Sequence, residues 1–318
     1  MFKRVVVTGS LAFDNIMSMP GRFKDHILPE KIHILNISFI MNTFRQEHGG
    51  TGGNISWNLG LLGTPNILVA AAGNDFSQYQ KHFSKLSLVD TSHVKVYKNL
   101  LTARGFVTTD KDNNQIWGFY EGAMKMSKFL SVKKYLSKDV VLMIAPNDPL
   151  AMIRYVEEAI NKNTPYIFDP AFNIPHFDNK VLKKAIKNSK ILIGNDYEIE
   201  LIKSKLEWSS KDLIKNTEIL ITTLGSKGAR IENKGKVYNI PSAKPNNESD
   251  PTGAGDAFRA GFLAGFVRDF PLQICGRMGA LTAIYTVEKY GTQTHTFTKT
   301  QFINRYKKNY ANDFEFDL

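Results

Sequence analysis

Strand-length apolar runs alternate with helical patterns along most of this 318-residue chain. The apolar runs lie at 4–9, 66–72, 140–145, 165–169, 190–194 and 219–224. The helical patterns lie near 53–62, 76–87, 149–162, 180–188, 196–206, 254–268 and 272–289. Strands that are apolar on both faces need cover on both faces, and helical connections make successive strands parallel. The sequence therefore predicts an α/β protein with a doubly wound, mostly parallel central sheet flanked by helices.

Two segments, 11–48 and 95–124, interrupt this alternation with extended, turn-rich sequence. Within the second segment, strand-like runs at 103–109 and 115–120 flank a polar turn at 110–114, which predicts a β-hairpin. We expect the two segments to form a small β-strand lid over a cleft in the sheet. Decorated loops without lid function are the alternative. The predicted large α/β domain then comprises 1–10, 49–94 and 125–318.

The chain is basic, with a net charge of +11 and a pI of about 9.4. Its lysines are scattered in short groups such as Lys133-Lys134 and Lys307-Lys308, on segments that read as helix surfaces. A nucleic-acid-binding protein would gather them into one basic patch with interleaved aromatic residues. We therefore expect no nucleic-acid partner, and a general field that favours anionic small molecules.

The sequence also bears on compartment and assembly. Its apolar runs are shorter than the ~20 residues of a membrane span, so we expect no membrane partner. Because a predicted strand follows the N-terminus directly, we expect no signal peptide. The single Cys275 excludes an internal disulfide and a cysteine-based zinc site, and it favours a cytoplasmic protein. A monomer and a homodimer both remain open.

The segment from Asp250 to Asp256 reads Asp-Pro-Thr-Gly-Ala-Gly-Asp and opens a helical pattern. The first N–H groups of a helix have no partner within it, and the helix dipole favours negative charge there. Backbone amides of Gly253, Ala254 and Gly255 would thus form an anion hole. A carboxylate beside such a hole, Asp256, suits proton removal from a hydroxyl that attacks a phosphate. An ordinary helix start is the alternative.

A second glycine cluster precedes a predicted helix, and an aspartate follows the first predicted strand. Glycines such as Gly50 let the backbone approach a ligand, and Asn54 would lie in the first helical turn with hydrogen bonds to offer. Asp14 lies just past a buried strand, where α/β proteins bind small molecules, and a carboxylate accepts two vicinal hydroxyls of a sugar. A flexible loop and a capping aspartate are the alternatives.

Asn195 and Glu198 follow the strand 190–194 at positions that share one side of a helix start. They could hold a hydrated Mg²⁺ ion beside a polyphosphate, because Mg²⁺ keeps several of its waters. A capping box explains the same spacing equally well. Farther along, the turn from Gly225 to Gly228 could offer backbone donors to a nucleotide, or be an ordinary hairpin turn. The sequence has no Walker A motif, which excludes a P-loop enzyme.

Together these motifs resemble those of the ribokinase-like (PfkB) family of sugar and nucleoside kinases. The early glycine cluster with Asn54 and the late segment ending in Asp256 match the two signatures of that family, in the right order and separation. The segments 9–17, 256–261 and 288–295 are more narrowly similar to bacterial adenosine kinases. The resemblance implies a ribokinase-like fold and ATP-dependent phosphorylation of the 5′-hydroxyl of adenosine. A ribose or fructose kinase and a nucleotide-binding regulator without catalysis are the alternatives.

The resemblance also implies roles for single residues. It makes Asp256 the catalytic base. Gly253, Ala254 and Gly255 match the anion hole, and Asp14, Gly50 and Asn54 match ribose-binding positions. On the nucleotide side it implies contacts to ATP from Thr223, Gly225 and Gly228. Asn195 and Glu198 match a motif that acts on Mg²⁺ through water. A nucleoside and ATP are the implied partners, and dependence on a monovalent cation stays open.

Overall fold

The protein is described by a computed structural model that covers residues 2, 4–34, 36–112, 114–310 and 314–316. Its strands are β1 (Arg4–Thr8), β2 (Ala12–Ser18), β3 (Thr43–Gly49), β4 (Asn66–Val69), β5 (Ala71–Gly73), β6 (Val89–Asp90), β7 (Lys95–Tyr97), β8 (Ala103–Thr109), β9 (Gln115–Tyr120), β10 (Val140–Ile144), β11 (Tyr166–Phe168), β12 (Ile191–Asn195), β13 (Ile219–Thr223), β14 (Ala229–Asn233) and β15 (Lys236–Ile240). Its α-helices are α1 (Thr51–Leu61), α2 (Phe76–Phe83), α3 (Pro149–Lys162), α4 (Asn179–Asn188), α5 (Asp196–Leu206), α6 (Ser210–Asn216), α7 (Ala254–Phe266), α8 (Leu272–Val287) and α9 (Lys299–Tyr310).

The described residues form a central sheet of nine strands in the order β15-β14-β13-β12-β11-β10-β1-β4-β6. From β13 to β6 neighbouring strands run parallel, whereas β14 and β15 add an antiparallel edge. Val5 and Val7 of β1 pack into one apolar cluster with α7, α8 and α9, and Val6 packs into another with α3, α4 and α5. Because successive strand residues point to opposite faces, this burial requires helices on both sides. The predicted doubly wound, mostly parallel sheet is confirmed.

A second sheet of four strands, in the order β3-β2-β8-β9, stands beside the first. The predicted hairpin is confirmed, with β8 and β9 paired antiparallel from Arg104↔Tyr120 to Thr109↔Gln115. Asp110 closes its turn by accepting the backbone N–H of Asn114 at 2.8 Å. Asn113 of that turn lies outside the described residues. The division of the chain into a large domain and a lid stays a prediction.

Some elements differ from the predictions. The apolar run 66–72 is not one strand: it breaks at Ala70 into β4, which joins the central sheet, and β5, which pairs with β7. The helices α6 and α9 were not predicted, because neither carries a long apolar stripe. In the described part of the chain, none of the helices combines the length and apolar character that crossing a membrane requires.

Candidate active site

Polar residues collect where the parallel strands of the central sheet end. Asp169 directly follows β11, Asn195 ends β12, and Thr223 ends β13 beside Asn195 in the strand register. The carboxyl ends of parallel strands lie along one edge of a sheet, where α/β proteins bind their ligands. The helices α1 and α7 bring Asn54 and Asp256 to this edge, where the Asn54 amide meets the Asp256 carboxylate. One site therefore draws on elements from the whole length of the chain.

Asp14 of β2 sits in a gap left by two glycines. A Cβ atom built on Gly49 would overlap its Oδ2 atom, and one built on Gly105 would lie 2.7 Å from its Oδ1 atom. Gly105 of β8 is the register partner of Asp14, and Gly49 of β3 is the partner of Ala12, two residues before Asp14 on β2. Burial raises the pKa of Asp14 to about 6, with further contributions from the charges of Asp250 and Glu47. Asp14 is therefore a poorly solvated carboxylate.

Gly50 acts through its backbone. Its φ of 87° lies in the region that favours glycine, and a Cβ atom there would lie 2.6 Å from the carbonyl oxygen of Ser10. The residue turns the chain from β3 into α1. This turn places Asn54 in the first turn of the helix, where its side chain is buried. A direct contact of Gly50 or Asn54 with a ribose stays a prediction.

The start of α7 is shaped by Gly253, which has a φ of 79° and precedes the first helical residue. A Cβ atom on Gly253 would lie 2.7 Å from the Cγ2 atom of Thr292. The N–H of Ala254 donates to the carbonyl of Pro251 at 3.2 Å, so this amide belongs to the turn itself. The predicted anion hole would therefore depend mainly on Gly253 and Gly255, and that role stays a prediction.

Asp256 lies in the first turn of α7 and accepts a hydrogen bond from Nδ2 of Asn54 at 2.8 Å. Its pKa is raised to about 6, chiefly by burial. The charge of Arg259 and the Asn54 hydrogen bond oppose that shift, while the charges of Asp169 and Asp14 add to it. A base is most effective when its pKa lies near the working pH. The electrostatic surroundings of Asp256 therefore suit a general base.

A buried ion pair supports the same helix turn. Arg259, one turn after Asp256, donates to both oxygens of Asp169, from Nε at 2.5 Å and from Nη2 at 3.0 Å. Burial raises the pKa of Asp169 even though Arg259 opposes it. Removing one partner of such a pair leaves an uncompensated buried charge. The pair therefore ties the start of α7 to the end of β11.

Asn195 and Glu198 form a capping box at the start of α5. The backbone N–H of Glu198 donates to Oδ1 of Asn195, and the backbone N–H of Asn195 donates to Oε2 of Glu198, both at 2.8 Å. The capping interpretation is confirmed. Burial, and next the charge of Asp169, raise the pKa of Glu198. Among the described residues, no group of three or more histidine, cysteine or acidic side chains is gathered in a way that could hold a metal ion.

The turn after β13 has two glycines with positive φ, 58° at Gly225 and 93° at Gly228. A Cβ atom on Gly228 would overlap the carbonyl oxygen of Ile240, whereas one on Gly225 would meet no atom within 4 Å. Gly228 therefore allows the turn to pack against β15. The space beside Gly225 is open. The contact of Thr223, Gly225 and Gly228 with a nucleotide stays a prediction.

Sequence reasoning missed three buried residues of the site, Tyr79, Thr292 and Gln293. The Oδ1 atom of Asn54 accepts from Oγ1 of Thr292 at 2.7 Å and from Nε2 of Gln293 at 2.9 Å. The hydroxyl of Tyr79 donates to the carbonyl of Gly49 at 2.7 Å. Thr292 and Gln293 lie in the loop after α8, inside a segment singled out only by resemblance. Their buried polar side chains gave no periodic signal.

A buried carboxylate of raised pKa beside a glycine-initiated helix, with a second poorly solvated carboxylate, suits a phosphotransferase that acts on an alcohol. Comparisons with known proteins support this class of enzyme. The model of the pfkB family of carbohydrate kinases matches residues 21–299. The chain is 31% identical over 308 residues to a nucleoside kinase of Methanocaldococcus jannaschii, covering 96% of this chain and 97% of that protein. It is 22% identical over 315 residues to a ribokinase of Haemophilus influenzae, covering 95% and 97%.

Solved structures agree with the sequence comparison. The M. jannaschii nucleoside kinase has a TM-score of 0.87 at 30% identity, covering 96% of this chain and 99% of that one. The nucleoside kinase of Burkholderia thailandensis in complex with inosine has a TM-score of 0.86 at 33% identity, covering 96% and 98%. The same enzyme was also solved with ADP and inosine. The chain belongs to the pfkB family of carbohydrate kinases and has the ribokinase-like fold.

Proposed function

We propose that this chain is a nucleoside kinase that transfers the γ-phosphoryl group of ATP to the 5′-hydroxyl of adenosine. The observation that carries the proposal is the Asp256 carboxylate, buried at the start of α7, held by Asn54 and raised in pKa to about 6. Its relatives in M. jannaschii and B. thailandensis are nucleoside kinases, and the latter was solved with inosine and with ADP. Adenosine as the acceptor is supported by the similarity of three sequence segments to bacterial adenosine kinases.

Asp256 would act on the acceptor hydroxyl as it attacks. A bond forms between the 5′-oxygen and the γ-phosphorus while the bond from that phosphorus to the bridging oxygen of ADP breaks. The hydroxyl proton passes to Asp256. Backbone amides at Gly253 and Gly255 would bind the charge that develops on the transferred group. On the nucleotide side, Thr223, Gly225 and Gly228 would contact ATP.

The ribose would be held by Asp14 and Asn54. Asp14 has two oxygens that can accept the vicinal 2′- and 3′-hydroxyls. Asn54 is more restricted, because its Oδ1 atom accepts from Thr292 and Gln293 and one Nδ2 hydrogen is used by Asp256. It can therefore only donate to the ribose, through its second Nδ2 hydrogen. These contacts aim the 5′-hydroxyl at Asp256.

The described residues gather no set of three acidic ligands for a metal ion, so a Mg²⁺ ion beside α5 and α7 would keep its waters. Asp169, Glu198 and Asp256 are near one another with Arg259 as their shared cation, and burial raises the pKa of each carboxyl. A divalent cation would relieve this excess of negative charge. Since Oε2 of Glu198 is engaged by the capping box, Asn195 and Glu198 would act on the ion through its waters. When bound, Mg²⁺ would neutralise charge on the transferred phosphoryl group.

An ADP-release assay across nucleosides and free sugars tests the proposal with wild-type protein and Asp256→Asn. We expect adenosine to be the preferred acceptor, and Asp256→Asn to lower kcat by at least ~10²-fold. Asp212→Asn is the matched control, because Asp212 also lies in the first turn of a helix, where it accepts from the backbone N–H of Ser209. Preference for another nucleoside would overturn adenosine. Turnover of ribose or fructose alone, or ATP binding without any turnover, would overturn the nucleoside kinase.

A further inference from the structure

The side-chain oxygen of Asn54 has both of its acceptor positions occupied. Thr292 donates to it at 2.7 Å and Gln293 at 2.9 Å, and all three side chains are buried. An amide oxygen has two lone pairs, and an amide nitrogen can only donate. If the Asn54 amide turned over, its NH₂ group would face the NH₂ group of Gln293, and its oxygen would face the Asp256 carboxylate. Its Nδ2 atom is therefore held toward Asp256, at 2.8 Å.

The donors are themselves fixed. Nε2 of Gln293 also donates to the hydroxyl of Tyr79, which in turn donates to the carbonyl of Gly49. Oγ1 of Thr292 also lies 2.8 Å from the carbonyl of His48, so its single proton is shared between that carbonyl and the Asn54 oxygen. Such a chain of buried hydrogen bonds restricts the side chains that form it, although the Oε1 atom of Gln293 is buried without a partner. This network reaches from the glycine that borders Asp14 to the amide that binds Asp256.

We propose that Thr292 and Gln293 are positioning residues of the phosphoryl-transfer site, which orient the Asn54 amide so that its N–H holds the Asp256 carboxylate in place. The inference rests on the proposed function. Without these donors the oxygen side of the amide is no longer fixed, so its N–H is free to leave the carboxylate. Asp256 would then lose a donor to its charged form, so its pKa would rise. The other charged groups that face it, Arg259, Asp169 and Asp14, would be unchanged.

Variants of Thr292 and Gln293 test whether these residues orient the Asn54 amide or only pack against it. Thr292→Val keeps the branched shape and loses the hydroxyl, whereas Thr292→Ser keeps the hydroxyl. Gln293→Met removes the second donor at similar volume. We expect the acid limb of the pH profile of kcat/KM to move up by about one pH unit in the valine and methionine variants. At pH values below the limb kcat/KM then falls ~10-fold, while the alkaline plateau stays within about threefold. Thr292→Ser should keep the wild-type limb.

Titration of the ¹³C carboxyl signal of Asp256, assigned with Asp256→Asn, measures the same change without turnover. We expect the pKa of Asp256 to be higher in Thr292→Val than in wild-type protein. Folded variants with an unmoved limb and an unmoved carboxyl titration would overturn the proposal. A uniform loss of activity at every pH, without a shift, would leave only a packing role and would also overturn it. If wild-type protein turns over no nucleoside, the proposed function fails and the carboxyl titration alone decides the positioning role.

Discussion

At the scale of single residues, the position of the Asp14 carboxylate depends on Gly105, which has no side chain to displace it. Gly105→Ala would place a Cβ atom 2.7 Å from Oδ1 of Asp14 and 3.2 Å from Trp117. We expect the KM for the nucleoside to rise by roughly 10-fold or more, because a small displacement of a binding group is costly, with kcat changed less. Gly118→Ala on the neighbouring strand is the control, since its Cβ atom would meet nothing within 4 Å. Equal KM values for the two variants in steady-state kinetics would contradict the prediction.

The candidate residues that the sequence could single out are those whose position follows from their own element. Asp14 lies just past a buried strand, and Asp256 lies at a helix start. The local sequence pattern predicts both positions. The local sequence pattern does not predict the positions of Gly105 and Gln293 in the site. Gly105 faces Asp14 only because β2 and β8 pair, and Gln293 meets Asn54 across 239 positions of sequence. Such contacts depend on strand register and loop path, which a single sequence does not encode locally.

At the scale of elements, the start of α7 depends on Gly253. Gly253→Ala would force a left-handed backbone on alanine and place its Cβ atom 2.7 Å from Thr292. We expect kcat to fall by ~10²-fold, since one displaced donor of an oxyanion hole costs about that much, with a smaller change in the KM for the nucleoside. Gly235→Ala is the matched control, because its φ is 80° and its Cβ atom would meet open space. Wild-type kcat in a folded Gly253→Ala variant would contradict this role.

Elements with a strong local signal could be predicted almost to the residue. The predicted helix 149–162 coincides with α3, which Asp148 caps and Pro149 begins, and 196–206 coincides with α5 and its capping box. The prediction of a single strand at 66–72 was wrong. All seven of those positions are buried, so hydrophobicity continues through the break. The chain leaves the central sheet after Val69 because β5 pairs with β7. This pairing depends on the tertiary structure, so the local sequence does not predict it.

At the scale of the whole molecule, the sequence predicted a parallel sheet covered on both faces but not its strand order. In the structure β1 lies between β4 and β10, so the sheet grows in both directions from the first strand. This arrangement brings the segment after β1 and the helix α1 to the middle of the sheet edge. The helix α7 packs on one face of the central sheet and brings Asp256 to the same part of the sheet edge. The candidate site forms where these two parts of the chain meet, and their meeting follows from the strand order.

The same convergence of carboxylates should make stability depend on pH. Asp14 and Asp256 have a pKa of about 6 in the folded protein, above the ordinary value of 3.8. The folded state therefore binds the protons of these two carboxyl groups more tightly than the unfolded state does. This proton binding stabilises the folded protein fully below pH ~4, and the stabilisation is lost as pH rises through 6. We expect Asp14→Asn to gain roughly 1–3 kcal/mol in free energy of unfolding relative to wild type between pH 4 and 7.5, measured by urea denaturation. Asp110→Asn should instead be nearly level relative to wild type from pH 4 to 7.5 and change only between about pH 2 and 4, because hydrogen bonds from Phe23 and Asn114 lower the pKa of Asp110 from 3.8 to about 2 against the effect of burial. A stability difference between Asp14→Asn and wild type that does not change with pH would show that the carboxylate is not strained by its surroundings.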